Sequence, residues 1–265
     1  MKTFVIAEIG INHNGNFEKA KKLIDSAKRA GVDAVKFQTY ITEKRVKKNS
    51  PIYNILKKCE LSFDEFYLLK KYAQNKKIEF MSTPFDIESF NFLKKIGVNK
   101  IKISSFDTVN IKFLKEISKK KSDFIMSVGM STYEEIKKAV KILGSNSKNK
   151  ISLLHCVSSY PTNEKDSQLN CIPILKNLFK YDIGHSDHTN DIFVPLCAVA
   201  MGAKIIEKHF MINSKMRCVD KPVSITEEQM KKLVINIRRF ENSLGNNFLG
   251  LRKNEKQFQV YRRHS

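Results

Sequence analysis

The strongest constraint on this chain is the alternation of short strand-like segments with amphipathic helical segments over almost its whole length. Eight segments show the period-two apolar pattern of strands, at 3–10, 32–38, 78–82, 100–104, 123–128, 151–157, 181–186 and 204–209. Helical periodicity appears at 17–30, 62–75, 87–96, 111–119, 132–143, 169–179, 193–201 and 226–243. Residues suited to capping helix amino ends stand at four of these boundaries, namely Ser62, Asp86, Thr132 and Thr226.

This repetition predicts an α/β fold with parallel strands joined by right-handed crossovers. Eight units within about 250 residues match the eight-stranded parallel TIM barrel better than an open sheet. An open sheet that binds a dinucleotide would carry a GxGxxG turn after its first strand, and this sequence has none. We therefore predict a barrel domain over residues 1–245 and a basic tail or linker at 246–265. The stretch 41–60 is interpreted as an inserted loop over the barrel mouth.

Charge narrows the range of partners. The chain has 48 basic and 27 acidic residues among 265, a formal net charge of +21. Lysine supplies 40 of the basic residues and arginine eight, and the lysines are spread over the predicted helices. Because nucleic-acid recognition favours arginine and interleaved aromatic residues, we expect no nucleic-acid partner. A positive field of this sign would attract small anionic substrates.

The sequence lacks the features of membrane-spanning or secreted proteins. A bilayer span needs roughly 18 to 20 apolar residues, and the longest candidate here, 192–203, has twelve. Glu8 interrupts the first apolar run before a signal-peptide core could form. The five cysteines include no CxxC pair, which argues against a disulfide framework or a structural zinc site. We expect a cytoplasmic chain with no membrane partner.

Polar residues end every predicted strand. In a TIM barrel the catalytic groups lie at the carboxyl ends of the strands and in the loops that follow them. The residues at these positions include Glu8, Lys36, Gln38, Thr83, Lys102, Ser105, Ser127, Ser158, Tyr160, Ser186, His188, Glu207 and His209. One polar strand residue is usually a hydrogen-bonded core or loop group, whereas convergence from eight strands predicts an active site at the mouth.

Two histidines are predicted neighbours at this mouth. His188 follows the seventh strand and His209 ends the eighth, where Glu207 shares its face. Two imidazoles can hold a divalent transition metal, with water and substrate oxygens as the other ligands. The alternative is a pair of hydrogen-bonding histidines. His185 points to the opposite face and is interpreted as structural.

Two lysines end strands two and four. The ammonium groups of Lys36 and Lys102 need an anion nearby to offset desolvation, and a phosphate or carboxylate substrate meets that need. Neighbouring hydroxyl groups would add neutral donors. The competing interpretation is that one lysine forms a Schiff base, as in barrel aldolases.

Eight segments at these strand ends carry a family resemblance. They are AEIGINHNG at 7–15, VKFQTY at 35–40, STPFD at 82–86, KISS at 102–105, SVGMST at 127–132, LLHCVSSYPT at 153–162, GHSDHT at 184–189 and GAKIIEKHF at 202–210. In content and order they resemble the sialic acid synthase family, which includes N-acetylneuraminate, legionaminate and pseudaminate synthases.

The resemblance implies a transferase that condenses phosphoenolpyruvate with an open-chain N-acylated hexosamine to form a nine-carbon 2-keto-3-deoxy sugar acid. Residues implied around phosphoenolpyruvate are Lys36, Thr83, Lys102, Ser105, Ser158 and Ser186. Ser127 is predicted from its strand-end position to add a substrate-binding hydroxyl group. His188 and His209 would hold a divalent metal ion, with manganese expected and magnesium or cobalt as alternatives. Gln38, Tyr160 and Asp220 would face the sugar.

Two carboxylates are the catalytic candidates. Glu8 is assigned to proton handling at the water or phosphate step, because burial in a barrel mouth can tune the pKa of a carboxyl group toward neutrality. The alternative interpretation is that Glu8 forms a salt bridge with Lys36 or Lys102. Asp107 stands where relatives often place glutamate, and Ser158 replaces an asparagine found in some members. These departures leave the sugar specificity open.

The resemblance also implies partners. Relatives usually continue into a small antifreeze-like domain, which is not recognised in this sequence, so a separate antifreeze-like chain is one expected partner and a second copy in a homodimer is another. Two other functions remain open. One is a Schiff-base lysine aldolase or lyase, and the other is a catalytically impaired barrel that acts as a binding partner.

Overall fold

The eight predicted strands all form, each within two residues of its predicted bounds, and pair in sequence order to close an all-parallel barrel. The computed structural model describes residues 2–246 and 248–263. The closed, all-parallel strand order confirms the predicted TIM barrel. Its strands are β1 Phe4–Gly10, β2 Ala34–Thr39, β3 Glu79–Pro84, β4 Lys100–Ile103, β5 Asp123–Ser127, β6 Lys150–Cys156, β7 Asp182–Asp187 and β8 Ile205–His209.

The predicted helices also form, and their caps explain their bounds. Ser62, Thr132 and Thr226 each accept a hydrogen bond from a backbone N–H in the first turn as part of a capping box. Asp86 accepts the Ser89 N–H with its side chain, without a capping box. The helices are α1 Phe17–Ala30, α4 Phe63–Asn75, α5 Ile87–Lys95, α6 Ile111–Ser118, α7 Tyr133–Leu143, α8 Cys171–Phe179, α9 Phe193–Ala200 and α10 Glu227–Ser243.

The predicted loop at 41–60 is wrong in one respect, because it contains two short helices, α2 Thr42–Arg45 and α3 Tyr53–Cys59. Its apolar residues Leu56 and Cys59 pack with Ile11 and Tyr40, and this small core gives the segment a reason to fold. The Tyr40 hydroxyl donates to the Leu56 carbonyl oxygen at 2.9 Å. The insertion is thus anchored beside the mouth.

The barrel interior has an apolar floor with a charged layer above it. The floor consists of one inward side chain from each of six strands, namely Ile6, Ala34, Met81, Ile125, Leu154 and Ile205. Because side chains two apart on a strand point the same way, the next inward positions are Glu8, Lys36 and Glu207. The outward faces of the strands pack against the helices in the main hydrophobic core. The change from apolar to charged side chains therefore places the chemistry at the carboxyl-terminal mouth.

Beyond α10 the described chain contains a 3₁₀ segment at Lys253–Tyr261 whose residues are all exposed. A division into a barrel domain and a tail near residue 245 stays a prediction. Within 2–246 and 248–263, we found no helix with the length and apolar character that a bilayer crossing requires.

Gly184 supplies the first testable prediction. A Cβ atom at this position of β7 would lie 2.5 Å from Leu154 Cδ2 and 2.7 Å from Ile205 Cβ, and it would also press on the Ile205 carbonyl oxygen. Neither strand can retreat without disturbing the barrel floor. We expect Gly184→Ala to lower the free energy of unfolding by about 1–3 kcal/mol, measured by urea denaturation. A midpoint equal to that of the wild type, with the same denaturant slope, would contradict this packing.

Candidate active site

A cavity of about 270 Å³ opens at the carboxyl-terminal end of the barrel. Most of the residues predicted for the site line it, from all parts of the chain. These are Glu8, Lys36, Gln38, Thr83, Lys102, Ser105, Ser127, Tyr160, Ser186, His188, His209 and Asp220. The roles assigned to them remain predictions, but the structure brings the side chains together.

Two predicted residues, Asp107 and Ser158, are not among those lining the cavity. Asp107 lies in a 3₁₀ turn after β4, where its carboxylate accepts hydrogen bonds from Ser104 Oγ at 2.7 Å and from the Asn110 side chain at 3.3 Å. These hydrogen bonds hold the carboxylate in place, and the catalytic role of Asp107 stays a prediction. The Ser158 hydroxyl lies against Gly129. A Cβ atom added to Gly129 would come within 2.6 Å of it.

Four buried charged side chains form the charged layer of the cavity. Lys36 Nζ lies 2.7 Å from Glu8 Oε2 and 3.6 Å from Glu207 Oε2. Lys102 Nζ lies 3.6 Å from Glu207 Oε1, and Ser186 donates to the same oxygen at 3.0 Å. The anion that each lysine was expected to need is present inside the protein as Glu8 and Glu207, and the role of both lysines in binding a substrate anion stays a prediction.

The two carboxylates differ in their affinity for a proton. Burial raises the pKa of Glu8, and the nearby charge of Glu207 adds to the rise while Lys36 opposes it. Burial acts on Glu207 in the same direction, but Lys102 and Lys36 outweigh it and lower the pKa of Glu207 to about 2. Glu8 is thus the carboxyl group better able to hold and release a proton.

Hydroxyl groups surround the two ammonium groups. Lys36 donates to Thr83 Oγ1 at 3.0 Å, and Lys102 donates to Ser127 Oγ at 2.7 Å. Ser105 Oγ accepts the Gly129 N–H at 3.1 Å, so its own O–H can turn toward a ligand. An anion in the cavity would meet charged and neutral donors together.

The two histidines face each other with ring centroids 5.5 Å apart. His188 Nδ1 lies 2.7 Å from the Val157 carbonyl oxygen, to which it donates, so its Nε2 carries the free lone pair. His209 Nδ1 is buried without a hydrogen bond of good geometry, although Asp220 Oδ2 is 3.4 Å away. An orphaned imidazole nitrogen and a neighbour fixed in its tautomer fit a divalent cation.

The protein supplies only part of such a coordination sphere. Across residues 2–246 and 248–263, no group of three or more His, Cys, Asp or Glu side chains is arranged to hold an ion by itself. Water and substrate oxygens would have to complete the site, as the sequence predicted for a pair of imidazoles.

Asn12 holds Asp220 at the cavity. Its side-chain oxygen accepts the Asp220 N–H at 2.9 Å, while its Nδ2 donates to the Phe210 carbonyl oxygen at 2.9 Å and to Ser224 Oγ at 3.0 Å. The loop after β1 is thereby tied to the loop after β8. Asn12, a polar residue of the GINHNG segment, therefore acts as a positioning residue for Asp220.

Comparison with known proteins places this cavity in a family. The model of the NeuB family matches residues 23–248, which is most of the chain. The chain belongs to the NeuB family. The resemblance to sialic acid synthases that its motifs carry is therefore confirmed.

Individual NeuB relatives agree with this placement. An uncharacterized protein of Methanocaldococcus jannaschii is 45% identical over 92% of this chain and 72% of its own length. The N,N'-diacetyllegionaminic acid synthase of Legionella pneumophila is 40% identical over 92% of this chain and 74% of its own. A solved N-acetylneuraminic acid synthetase of Leptospira borgpetersenii, in complex with citrate, superposes with a TM-score of 0.93 at 40% identity, covering 98% and 91% of the two chains. The chain is thus an enzyme of the sugar acid synthase type.

Several residues that line this NeuB cavity have no predicted role. Glu207 is predicted at the mouth, on the same face as His209, but is assigned no function there. Arg45 and Ile52 come from the insertion at 41–60, whose sequence gives no sign of which side chains turn inward. Cys156 and Phe106 also line the cavity. Cys156 is buried, and a buried thiol at a strand end is usually a core residue, whereas Phe106 is exposed after β4, where a single apolar side chain carries no functional signal.

A second charged cluster lies outside the barrel interior of this NeuB protein. Lys208 is fully buried, and its Nζ lies 2.6 Å from Asp187 Oδ2 and also contacts the Thr189 carbonyl oxygen. Asp187 further accepts hydrogen bonds from the N–H and Oγ1 of Thr189, and it lies 3.3 Å from His185 Nε2. This cluster fixes the chain on both sides of His188, and His185 takes a structural position as predicted.

The Lys208–Asp187 pair yields a stability prediction. Lys208→Met leaves the Asp187 carboxylate buried without its cation, so we expect the free energy of unfolding to fall by about 3–5 kcal/mol in urea denaturation. Adding Asp187→Asn to Lys208→Met removes the stranded charge, and the double variant should be more stable than the single one. A loss below about 1 kcal/mol in the single variant would show that water reaches Asp187.

Proposed function

We propose that this protein condenses phosphoenolpyruvate with an open-chain N-acylated hexosamine, consuming one water and releasing phosphate, to form a nine-carbon 2-keto-3-deoxy sugar acid. The observation that carries the proposal is the meeting of two buried ammonium groups with two imidazoles in one cavity. Membership of the NeuB family and the names of its relatives support the reaction class.

Phosphoenolpyruvate binds to the lysine side of the cavity in this proposal. Lys36 and Lys102 offer two positive charges, and hydroxyl groups stand beside them. The hydroxyl donors are Thr83, Ser105, Ser127 and Ser186. Because each lysine already contacts a carboxylate or hydroxyl oxygen, the ammonium groups are held in place before the ligand arrives, which lowers the ordering cost of binding.

His188 and His209 would hold a divalent cation, with manganese first and magnesium or cobalt as alternatives. When bound, the cation would polarise the aldehyde oxygen of the sugar. Tyr160, whose ring lies 4.2 Å from the His188 ring, and Asp220, beside His209, would orient the sugar at that side. With both substrates bound, the cavity would bring the aldehyde carbon of the sugar toward the methylene carbon of phosphoenolpyruvate.

The bond changes define what Glu8 would do. The phosphoenolpyruvate methylene carbon attacks the aldehyde carbon, the aldehyde oxygen gains a proton, and water adds to the adjacent cationic carbon and loses a proton. The C–O bond to phosphate then breaks, and the proton of the new hydroxyl group leaves with the phosphate, so that a ketone remains. Glu8, 2.7 Å from Lys36 and 3.4 Å from the Gln38 side-chain nitrogen, would accept the proton of the attacking water. Its contact with Lys36 means that the salt bridge and the proton-handling role involve the same carboxylate.

The proposed partners are a second copy of the chain and an antifreeze-like chain. Phe106, Met130 and Tyr160, which follow strands β4, β5 and β6, are 63%, 62% and 49% exposed. Apolar side chains around an open mouth favour a covering surface.

The direct test is phosphate release from phosphoenolpyruvate with a panel of N-acylated mannose and altrose derivatives, with manganese present. We expect release with at least one member and none without sugar. Borohydride with pyruvate should leave Lys36 and Lys102 unmodified, whereas a reducible adduct would support the Schiff-base aldolase instead. Binding of phosphoenolpyruvate without phosphate release for any sugar would support the impaired barrel.

Lys102 gives a prediction for phosphoenolpyruvate affinity. Lys102→Met should weaken its binding about 10-fold to 100-fold, since a charged hydrogen bond is lost, as measured by calorimetry. Lys100→Met is the matched control, because Lys100 lies two residues earlier on β4 at the opposite end of the barrel, paired with Glu79 at 2.9 Å. Equal affinities in the Lys102 variant and the wild type would remove Lys102 from the anion site.

The histidine pair gives a prediction for metal content. His188→Ala and His209→Ala should each lower the manganese bound per chain after dialysis, together with phosphate release. His155→Ala serves as control, because His155 stacks on His185 on the outer side of the strands. Unchanged metal content in both mouth variants would show that the imidazoles only form hydrogen bonds.

A further inference from the structure

Thr162 is a buried polar residue beside the histidine pair that the reaction scheme above does not use. It is 6% exposed and ends the loop 157–162, which follows β6, whereas residues 159–161 of the same loop are exposed. A buried hydroxyl group at the end of an exposed loop needs acceptors inside the protein. The acceptors of Thr162 connect it to His188.

Thr162 is joined to His188 by two routes. Its N–H donates to the His188 carbonyl oxygen at 2.9 Å. Its hydroxyl group donates to the Ser159 carbonyl oxygen at 2.9 Å and lies 3.3 Å from the Val157 carbonyl oxygen. The Val157 carbonyl oxygen in turn accepts from His188 Nδ1 at 2.7 Å. Both the backbone and the imidazole of His188 are therefore attached to the loop that Thr162 closes.

The backbone of His188 is also fixed on the opposite side. Asp187 Oδ2 accepts hydrogen bonds from the Thr189 N–H at 3.2 Å and from Thr189 Oγ1 at 2.8 Å, and Lys208 Nζ contacts the Thr189 carbonyl oxygen. The freedom left to His188 is in its side chain, namely the rotation of the ring and the choice of the nitrogen that carries the proton.

The Val157 carbonyl group decides where that proton lies. A neutral imidazole has one N–H, and only its other nitrogen has a lone pair for a cation. A carbonyl oxygen can only accept, so the proton of His188 is on Nδ1 and the lone pair is on Nε2. Cys156 Sγ, 3.8 Å from Nδ1, is a weak alternative acceptor. If the Val157 carbonyl turned away, the proton could move to Nε2 and block the cation.

The same loop restricts the ring itself. Tyr160 packs on His188 with ring centroids 4.2 Å apart. His209 lacks an equivalent support, because its buried Nδ1 has no hydrogen bond of good geometry. His188 is thus the member of the pair that is prepared for a cation in advance, and the loop 157–162 prepares it.

We propose that Thr162 is a positioning residue, which holds the Val157 carbonyl group against His188 Nδ1 and thereby keeps Nε2 free to bind the divalent cation. Thr162 acts through the loop and touches neither substrate. The inference rests on the metal site of the proposed function and adds to it the residue that sets the state of one ligand.

The experiment compares three Thr162 variants with one control in the full chain. Thr162→Val and Thr162→Ala remove the hydroxyl group, with and without the bulk of the side chain, and Thr162→Ser keeps the hydroxyl group. Thr39→Val is the matched control, because Thr39 is a fully buried threonine whose hydroxyl group contacts Ser82 Oγ at 2.7 Å. It lies on β2, on the opposite side of the closed barrel from β6 and β7.

Two quantities are measured on protein freed of metal with a chelator. Mn²⁺ affinity is obtained from the electron paramagnetic resonance signal of the free ion. The tautomer of His188 is obtained by ¹⁵N NMR of protein labelled at histidine, at mildly alkaline pH, and the His188→Gln variant identifies its signals. Urea denaturation shows that each variant is folded.

We expect Thr162→Val and Thr162→Ala to raise the Kd for Mn²⁺ about 10-fold, the effect typical of groups that orient a metal ligand. The ¹⁵N signals of His188 should move from the Nδ1–H toward the Nε2–H form in the same variants. Thr162→Ser should match the wild type in both measurements. Thr39→Val should also match it in both, even where it lowers the free energy of unfolding.

The inference is overturned if the folded Thr162→Val and Thr162→Ala variants change neither quantity or only one of them. It is equally overturned by an Nε2–H tautomer of His188 in the wild type, by an equal loss of affinity in Thr39→Val, or by a wild type that binds no Mn²⁺. A wild type that binds Mn²⁺ but releases no phosphate with any sugar would remove the proposed reaction alone. The role of Thr162 would then still be decided by the affinity and the tautomer.

Discussion

The buried charges of Lys36, Lys102, Glu8 and Glu207 are the constraint on which the rest of the site depends. Each would be costly alone in a barrel interior, and together they compensate one another. The apolar floor beneath them excludes water from below, which strengthens their interaction. The hydroxyl groups and imidazoles of the mouth are then arranged around a charge pattern that is already set without a ligand.

The features that could be predicted from the sequence are those that depend on interactions between residues close together in the chain. Strand alternation and helix caps act over a few residues, so β1 to β8 and the capped helices could be placed closely. The mouth could be predicted because a parallel barrel brings all carboxyl ends to one rim. Partners across the barrel, such as Glu207 for Lys36 and Lys102, depend on strand register and tilt, which the sequence does not state.

The insertion at 41–60 shows most clearly which features could not be predicted from the sequence. Its two short helices are fixed by tertiary contacts, including Tyr40 with Leu56 and Thr42 with Glu60, rather than by a strong periodic pattern. The inward direction of Arg45 follows from its stacking on Phe85, a residue of a different loop. Asp107 was identified from its resemblance to a position in relatives. That resemblance does not reveal that its carboxylate accepts hydrogen bonds from Ser104 and Asn110.

Asn12 has a consequence for the way the enzyme is made. It holds Asp220, 208 residues further along the chain, and Glu8 pairs in register with His209. The mouth is therefore assembled only when the last strand docks beside the first. A nascent polypeptide emerging from the ribosome carries the lysine half of the site early but stays incompetent until its final quarter has been synthesised and has closed the ring.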